Sequence, residues 1–201
     1  GPRLGDVVIE VQKPLVMADA EKTTYSVEDD PQASTSTLDE IIRKVPQLSL
    51  DGDGNVNSTK MGPRCAGAGG FVDITQNAKT VVFLGTFTAK GAKYSFEDGK
   101  LTILQEGAIK KMVSHVGQLS FNGPAARKKG QRVVVVTERA VFELVPEGVM
   151  LVEIAPGVDL QTQVLDMMDF APIISPDLKE MDASLFIQDG PSGLLAGFEA
   201  K

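Results

Sequence analysis

Four consecutive valines, Val133-Val134-Val135-Val136, constrain the fold of this chain more than any other feature. Unbroken β-branched residues are the strongest buried-strand signal in the sequence, and a buried strand requires neighbours on both edges. Residues 79–86 are a second β-branched and apolar run, with Asn77 before and Gly85 near its end. That pattern predicts a strand buried on both faces of a parallel sheet.

Around these two runs the sequence changes style. Residues 92–96 and 101–104 alternate apolar and polar positions across Glu97-Asp98-Gly99, which predicts a hairpin. Residues 140–145 and 149–154 make another, joined by Pro146-Glu147-Gly148. Residues 48–50, Asp51-Gly52-Asp53-Gly54-Asn55 and Val56 read as strand, tight turn, strand, because Asp-Gly and Gly-Asn supply positive φ. The same acids do not make an EF-hand loop: its sixth position is Val56 and its twelfth Gly62, where Gly and Glu are needed. Strands are also expected over 7–11 and 113–121, with a short closing one at Ile173-Ile174 before Pro176. Thr37 or Ser36 caps a helix over 38–44, with Glu40 as the capping-box partner and Pro46 as its stop. Asp159 caps an amphipathic helix carrying Leu160, Val164, Leu165 and Met168. Residues 29–37 are a polar linker or surface loop, and no internal repeat is visible.

Composition narrows the class. The chain has 201 residues, 42% hydrophobic and 23% charged, which excludes disorder and collagen. One cysteine, Cys65, allows no internal disulfide and points to a reduced intracellular compartment. With a single histidine, His115, it also excludes a Cys-rich zinc site, and no metal is expected. No apolar run approaches the 18 residues of a membrane span, and Gly-Pro-Arg-Leu-Gly-Asp at the start lacks a signal-peptide core, reading as a cut or engineered start. The net charge of −7 argues against wholesale nucleic-acid binding. It conceals a division: residues 1–60 carry −5, 61–145 carry +6 and 146–201 carry −8. A basic middle suits a small polyanion, although Lys110, Lys111, Lys128 and Lys129 individually read as solvated helix and turn residues.

The stretch Gly62-Pro63-Arg64-Cys65-Ala66-Gly67-Ala68-Gly69-Gly70-Phe71-Val72-Asp73-Ile74-Thr75-Gln76-Asn77-Ala78 resembles class I acyl-CoA:carboxylate CoA-transferases, in the β half of the acetate and propionate branch. Further blocks resemble the same family in order: Asp53-Gly54-Asn55-Val56-Asn57, Phe83-Leu84-Gly85-Thr86-Phe87-Thr88, Thr137-Glu138-Arg139-Ala140-Val141-Phe142-Glu143-Leu144, Glu153-Ile154-Ala155-Pro156-Gly157-Val158-Asp159-Leu160 and Pro172-Ile173-Ile174-Ser175-Pro176-Asp177-Leu178. The resemblance spans roughly residues 50–186. It implies an α/β fold, a mostly parallel sheet flanked by helices with added β-hairpins, in one β-half-like domain over 1–187, with 1–48 divergent or shortened and 188–201 a tail.

The resemblance also implies an activity: moving CoA between a short-chain acyl-CoA and a free carboxylate through a glutamyl-CoA thioester. Its substrates would be acyl-CoA and a small carboxylate, with no permanently bound cofactor. An α-half chain or a second copy would be required as partner, with no nucleic acid or membrane involved. The location would be cytoplasmic, or the mitochondrial matrix in a eukaryote. By position in the family, Glu28 is the counterpart of the nucleophile. Gly69 and Gly70 offer backbone oxyanion donors, and Gly67, Gly69, Gly70 and Lys90 are the CoA-binding residues. Glycine suits the first role because it lets main chain approach a ligand closely; a tight turn alone is the competing reading. Lys90 also reads as an ordinary hairpin-entry lysine. The glycines expected after Glu28 are absent, and Glu28-Asp29-Asp30 repel one another, so an exposed acidic loop competes with the nucleophile. Glu138 is a second acid at a strand end and belongs to a structural block. His115 reads as a strand residue, and Cys65 has no histidine partner for nucleophilic work. Two other functions fit the same scaffold, a non-catalytic CoA-transferase-like binding or assembly subunit and an acyl-CoA hydrolase.

Overall fold

The computed structural model describes Val16–Ala18, Thr23–Tyr25, residues 48–61, Arg64–Cys65 and residues 67–187. The expected strand at 7–11, loop at 29–37, helix at 38–44, Glu28 and the 188–201 tail lie outside the described residues. In chain order the main elements are β1 (Ser49–Leu50), β2 (Val56–Asn57), α1 (Phe71–Asn77), β3 (Thr80–Leu84), β4 (Lys93–Glu97), β5 (Lys100–Gln105), α2 (Gly123–Lys129), β6 (Arg132–Val136), β7 (Ala140–Val145), β8 (Gly148–Ile154), α3 (Leu160–Gln163) and β9 (Ile173–Glu180).

The valine run becomes β6, inside a five-stranded sheet of order β9-β8-β7-β6-β3. β3 pairs with β6 in parallel, with Leu84 opposite Val136, and β8 pairs with β9 in parallel; β6 with β7 and β7 with β8 are antiparallel. The α/β fold with added hairpins is therefore present, and its sheet is mixed where a mostly parallel one is expected. The reason is local: turns of two residues at 138–139 and 146–147 reverse the chain, and only antiparallel strands fit so short a connection.

One face of the sheet carries Val81, Phe83, Val133, Val135, Ala140, Phe142, Val149 and Leu151 into the core, where Leu50, Val56, Phe121 and Ala126 meet them. Phe83 stacks on Phe71 at 5.8 Å and meets the edge of the Phe121 ring at 5.2 Å. The expectation that 79–86 is buried on both faces is corrected, since β3 is an edge strand among the described residues and Val82 and Leu84 are 55% and 53% exposed. A continuous apolar run hides which alternate residues face inward; only the packing decides it.

The β1–β2 and β4–β5 hairpins form as predicted, the second with both Asp98 (φ 52) and Gly99 (φ 72) left-handed at its tip. The Asp51 carboxylate accepts the N–H groups of Asp53 and Asn55, so it organises the turn between β1 and β2. Residues 113–121 are not a strand. Met112 and Phe121 bridge Leu50 and Val56 at the two ends, while the chain bows out between them and exposes Ser114, His115 and Gln118. The closing strand runs past Pro176 to Glu180, with a register break that leaves 175–178 out of the ladder. Proline is tolerated there because β9 is an edge strand.

The Asp159 cap accepts the Thr162 N–H at 2.7 Å, but the helix it starts is one turn long and continues as a 3-10 turn at Leu165–Met167. Two helices were not expected from the sequence. α1 starts at the glycine turn with no side-chain cap, and the Gln131 side chain donates to the Thr75 carbonyl near its end. α2 has Asn122 as its cap, accepting the Ala125 N–H at 2.9 Å, Pro124 in its first turn, and Gly130 (φ 69) as its stop. Arg127, Lys128 and Lys129 occupy its last turn, where cations complement the helix dipole.

α2 seats its first residue on the β1–β2 turn so closely that a Cβ on Gly123 would lie 2.4 Å from the Asp53 carbonyl oxygen. Gly123→Ala is therefore expected to lower stability by about 1–3 kcal/mol, read from the urea midpoint. Gly117→Ala, which meets nothing within 4 Å, should stay within about 0.5 kcal/mol of the parent. The Thr162 side-chain and backbone hydrogen bonds hold the exposed Asp159 carboxyl below its ordinary range. Its contribution is present above the unfolded value and lost as pH falls through the folded one. Asp159→Asn, which keeps a capping oxygen, should flatten that acid limb of the thermal midpoint between about pH 5 and pH 2.

Candidate functional site at the carboxyl end of two parallel strands

Because Leu84 lies opposite Val136, residues 85–91 and 137–139 leave β3 and β6 at the same end of the sheet. The carboxyl ends of parallel strands are where loops of α/β proteins gather around ligands. The glycine turn comes to the same end. α1 precedes β3, and its first residue, Phe71, stacks on Phe83 near the close of the strand. Gly67 (φ 77) and Gly69 (φ 49) are left-handed, and a Cβ on either would meet nothing within 4 Å. The glycines thus serve the backbone conformation here and not a steric need. The Phe71 N–H donates to the Ala68 carbonyl at 2.9 Å, closing a turn over 68–71, and residues 67–70 are all exposed.

β3 leads through Phe87 and Thr88 to Lys90, an exposed lysine held at φ 65 beside Gly91 at φ 92. A residue with a Cβ rarely adopts that region, and such outliers gather at functional sites. The glycine turn thus precedes α1, and Lys90 follows β3 on the loop of residues 85–91.

The densest electrostatics lies at the tip of the β6–β7 hairpin. The Thr137 hydroxyl donates to the Ala140 carbonyl at 2.8 Å and closes the tip, whose central residues, Glu138 and Arg139, are both buried. Arg139, 0% exposed, donates to Glu138 Oε1 (2.9 Å), to both oxygens of Glu106 (2.6 and 3.0 Å) and to the Gln163 carbonyl (3.0 Å), and lies 4.8 Å over the Phe87 ring. Glu138 Oε2 accepts the Phe87 N–H at 2.8 Å. Burial alone would lower the Arg139 pKa, but hydrogen bonding to Glu106 and the Glu138 and Glu106 charges outweigh it and hold the guanidinium firmly protonated. Tyr94 Oη lies within reach of the same charges yet makes no hydrogen bond of normal geometry; burial first, and then Glu138, push its pKa up. Two carboxylates and a carbonyl take four of the five N–H donors of this guanidinium, which makes a buried network costly to open.

The residues read from the sequence fall unequally around this end. Gly67, Gly69 and Gly70 lie in the exposed turn before α1 and Lys90 is exposed on the loop after β3, while Glu28 is outside the described residues. Glu138 is structural, as its block suggests, holding Arg139 and the Phe87 amide. His115 is corrected from strand to an exposed irregular segment, because the chain around it makes β-bridges to the β1–β2 hairpin only at its ends and between them is held to the hairpin by the Val116 N–H donating to the Asp51 carboxylate. Cys65 pairs through its backbone with Lys60 in a two-residue ladder. Lys128 and Lys129 are exposed, and Lys110 forms an exposed ion pair with Asp169 at 2.8 Å. Lys111 is corrected: it is buried, and desolvation lowers its pKa. Sequence reasoning missed the Glu106–Arg139 pair; the available signal was Thr137-Glu138-Arg139 placed directly against a four-valine strand. Among the described residues no three His, Cys, Asp or Glu converge as a metal site, and no helix is long and apolar enough to cross a membrane.

No family model matches the chain. Acetate CoA-transferase YdiF of Escherichia coli (strain K12) is 49% identical over 138 residues, 69% of this chain and 26% of that protein. Caffeate CoA-transferase of Acetobacterium woodii is 48% identical over 141 residues, 68% of this chain and 27% of that protein. Among solved structures, the thioester complex with CoA of the acyl-CoA transferase YdiF from Escherichia coli O157:H7 matches with a TM-score of 0.69 at 48% identity, over 72% of this chain and 28% of that one. The chain spans about a quarter of the length of the curated relatives it matches. Near-half identity sustained along one backbone path reflects common descent, and over the matched residues the chain belongs to the CoA-transferase family.

Proposed function

We propose that this chain contributes the β half of an acyl-CoA:carboxylate CoA-transferase. What supports the reading is the exposed Gly67–Gly70 turn, drawn toward the end of β3 by the Phe71–Phe83 stack, and the left-handed Lys90 on the loop that follows β3, in a segment nearly half identical to named CoA-transferases. In this reading the Glu28 carboxylate attacks the thioester carbonyl of acyl-CoA. The C–S bond breaks, CoA leaves as thiolate and an acyl-glutamyl anhydride forms. The thiolate then attacks the glutamyl carbonyl, releasing the first carboxylate and leaving a glutamyl-CoA thioester, and the acceptor carboxylate runs the two steps in reverse. Covalent catalysis of this kind divides one hard transfer into easier ones.

The Gly69 and Gly70 N–H groups serve as donors to the oxyanion of each tetrahedral intermediate. Lys90 meets the CoA phosphates, and Gly67, Gly69 and Gly70 let the main chain come close to the thiol end. Such donors work best where water is excluded, and the glycine turn is exposed in this chain. The reading therefore requires a second surface over the turn, supplied by an α half or by another copy. The acetate- and caffeate-named relatives match over nearly the same length at nearly the same identity. Acyl selectivity is short-chain in this reading. A cytoplasmic location belongs to the same reading.

Two measurements test it. Incubation of the chain and its α half with acetyl-CoA, followed by borohydride, is expected to reduce a glutamyl thioester and mark Glu28 alone. Label on another glutamate would reassign the nucleophile, CoA binding without label would make the chain a non-catalytic module, and CoA release without acceptor would make it a hydrolase. Separately, Lys90→Gln should weaken CoA binding about tenfold at low ionic strength, as loss of one charge-assisted contact does. The difference should shrink in about 1 M salt, where the Debye length falls to about 3 Å.

A further inference from the structure

Lys90 holds a backbone conformation that a side chain with a Cβ keeps only where its surroundings over-determine it. Every residue leading into it is fixed. The Phe87 N–H donates to Glu138 and its ring lies under Arg139. The Thr88 hydroxyl donates to Glu106 Oε2 at 3.1 Å and accepts the Gly107 N–H at 3.0 Å. Ala89 pairs with Ile109, and a Cβ on Gly107 would lie 2.4 Å from the Ala89 carbonyl oxygen, so the two backbones are in direct contact. The Lys90 carbonyl accepts the Ala108 N–H at 2.9 Å. Glu106 is the member common to both sides of this strap. It grips the buried Arg139 with both oxygens and Thr88 with one of them, and its own chain continues into Gly107 and Ala108.

We propose that the Glu106–Arg139 ion pair is a positioning device for Lys90: it fixes the Thr88–Ala89 strap, and through it the left-handed turn that presents the lysine to CoA. Neither member touches the ligand. A lysine delivered on a fixed turn loses less backbone freedom when it meets a phosphate, so the pair raises affinity without a contact of its own. The inference rests on the reading of Lys90 as a CoA contact, and the experiment separates the two.

The test compares the 201-residue chain with Glu106→Gln, Thr88→Val, Lys90→Gln and the Glu106→Gln/Lys90→Gln double variant. Backbone amide resonances and the dissociation constant for CoA are recorded for each. Thr88→Val keeps the side-chain shape and leaves the ion pair in place, so it carries the test if Glu106→Gln does not fold. Both single variants are expected to move the Lys90 and Gly91 amide resonances while leaving the Asp98-Gly99 turn unchanged. Each should weaken CoA binding about tenfold, and the double variant should bind no more weakly than Lys90→Gln, since two changes acting through one contact are not additive. Unmoved Lys90 and Gly91 resonances in the folded variants, or effects that multiply in the double variant, would overturn the positioning role. If Lys90→Gln leaves CoA affinity unchanged, the CoA reading of Lys90 fails, and the resonances alone decide whether the pair sets the turn.

Discussion

A guanidinium with no exposed surface holds this structure's business end in place. Arg139 is taken out of water at a cost of several kcal/mol, and that cost is offset only because two carboxylates, a carbonyl and an aromatic face surround it. The same partners come from four separate stretches of chain. Glu138 is its neighbour, Glu106 follows the β4–β5 hairpin, Gln163 ends α3, and Phe87 follows β3. One buried charge thus fixes where a hairpin tip, a helix end and a loop meet. Removing one partner would leave an uncompensated charge, which is why the network acts as a unit.

The sheet makes that arrangement possible. β3 and β6 are parallel, so their carboxyl ends open on one side, and the Thr137-Glu138-Arg139 tip, which follows β6 directly, lies on that side. A hairpin tip usually faces water; this one turns inward because the Thr137 hydroxyl closes it tightly and the charges find partners beneath the loop. The glycine turn reaches the same place by a different force, the stacking of Phe71 on Phe83. Apolar packing positions one half of the candidate site and ion pairing the other.

Much of this was legible in the residues. Glu97-Asp98-Gly99 predicts a hairpin tip, and the tip forms there with Asp98 and Gly99 both left-handed. The Asp51–Asn55 turn, the 140–154 hairpin and the Asp159 cap follow from equally local chemistry. The two short helices were harder to see, because seven residues carry too few apolar positions to show a period, although Asn122, Pro124 and Gly130 mark both ends of α2. Lys111 and residues 113–121 misled for a related reason: their surroundings come from the distant β1–β2 hairpin and not from their own neighbours.

The sequence by itself determined the strands, the turn chemistry, the basic middle and the family resemblance, since each is a pattern among residues close in the chain. Only the tertiary structure decided which face of β3 is buried, that Glu138 and Arg139 point inward, and that Lys90 stands on a strapped turn. Those outcomes depend on pairs such as Phe87 with Glu138 and Arg139 with Glu106, 51 and 33 residues apart. A charge with such partners and a charge in water look alike until the chain closes, because burial and pairing are properties of the folded surroundings.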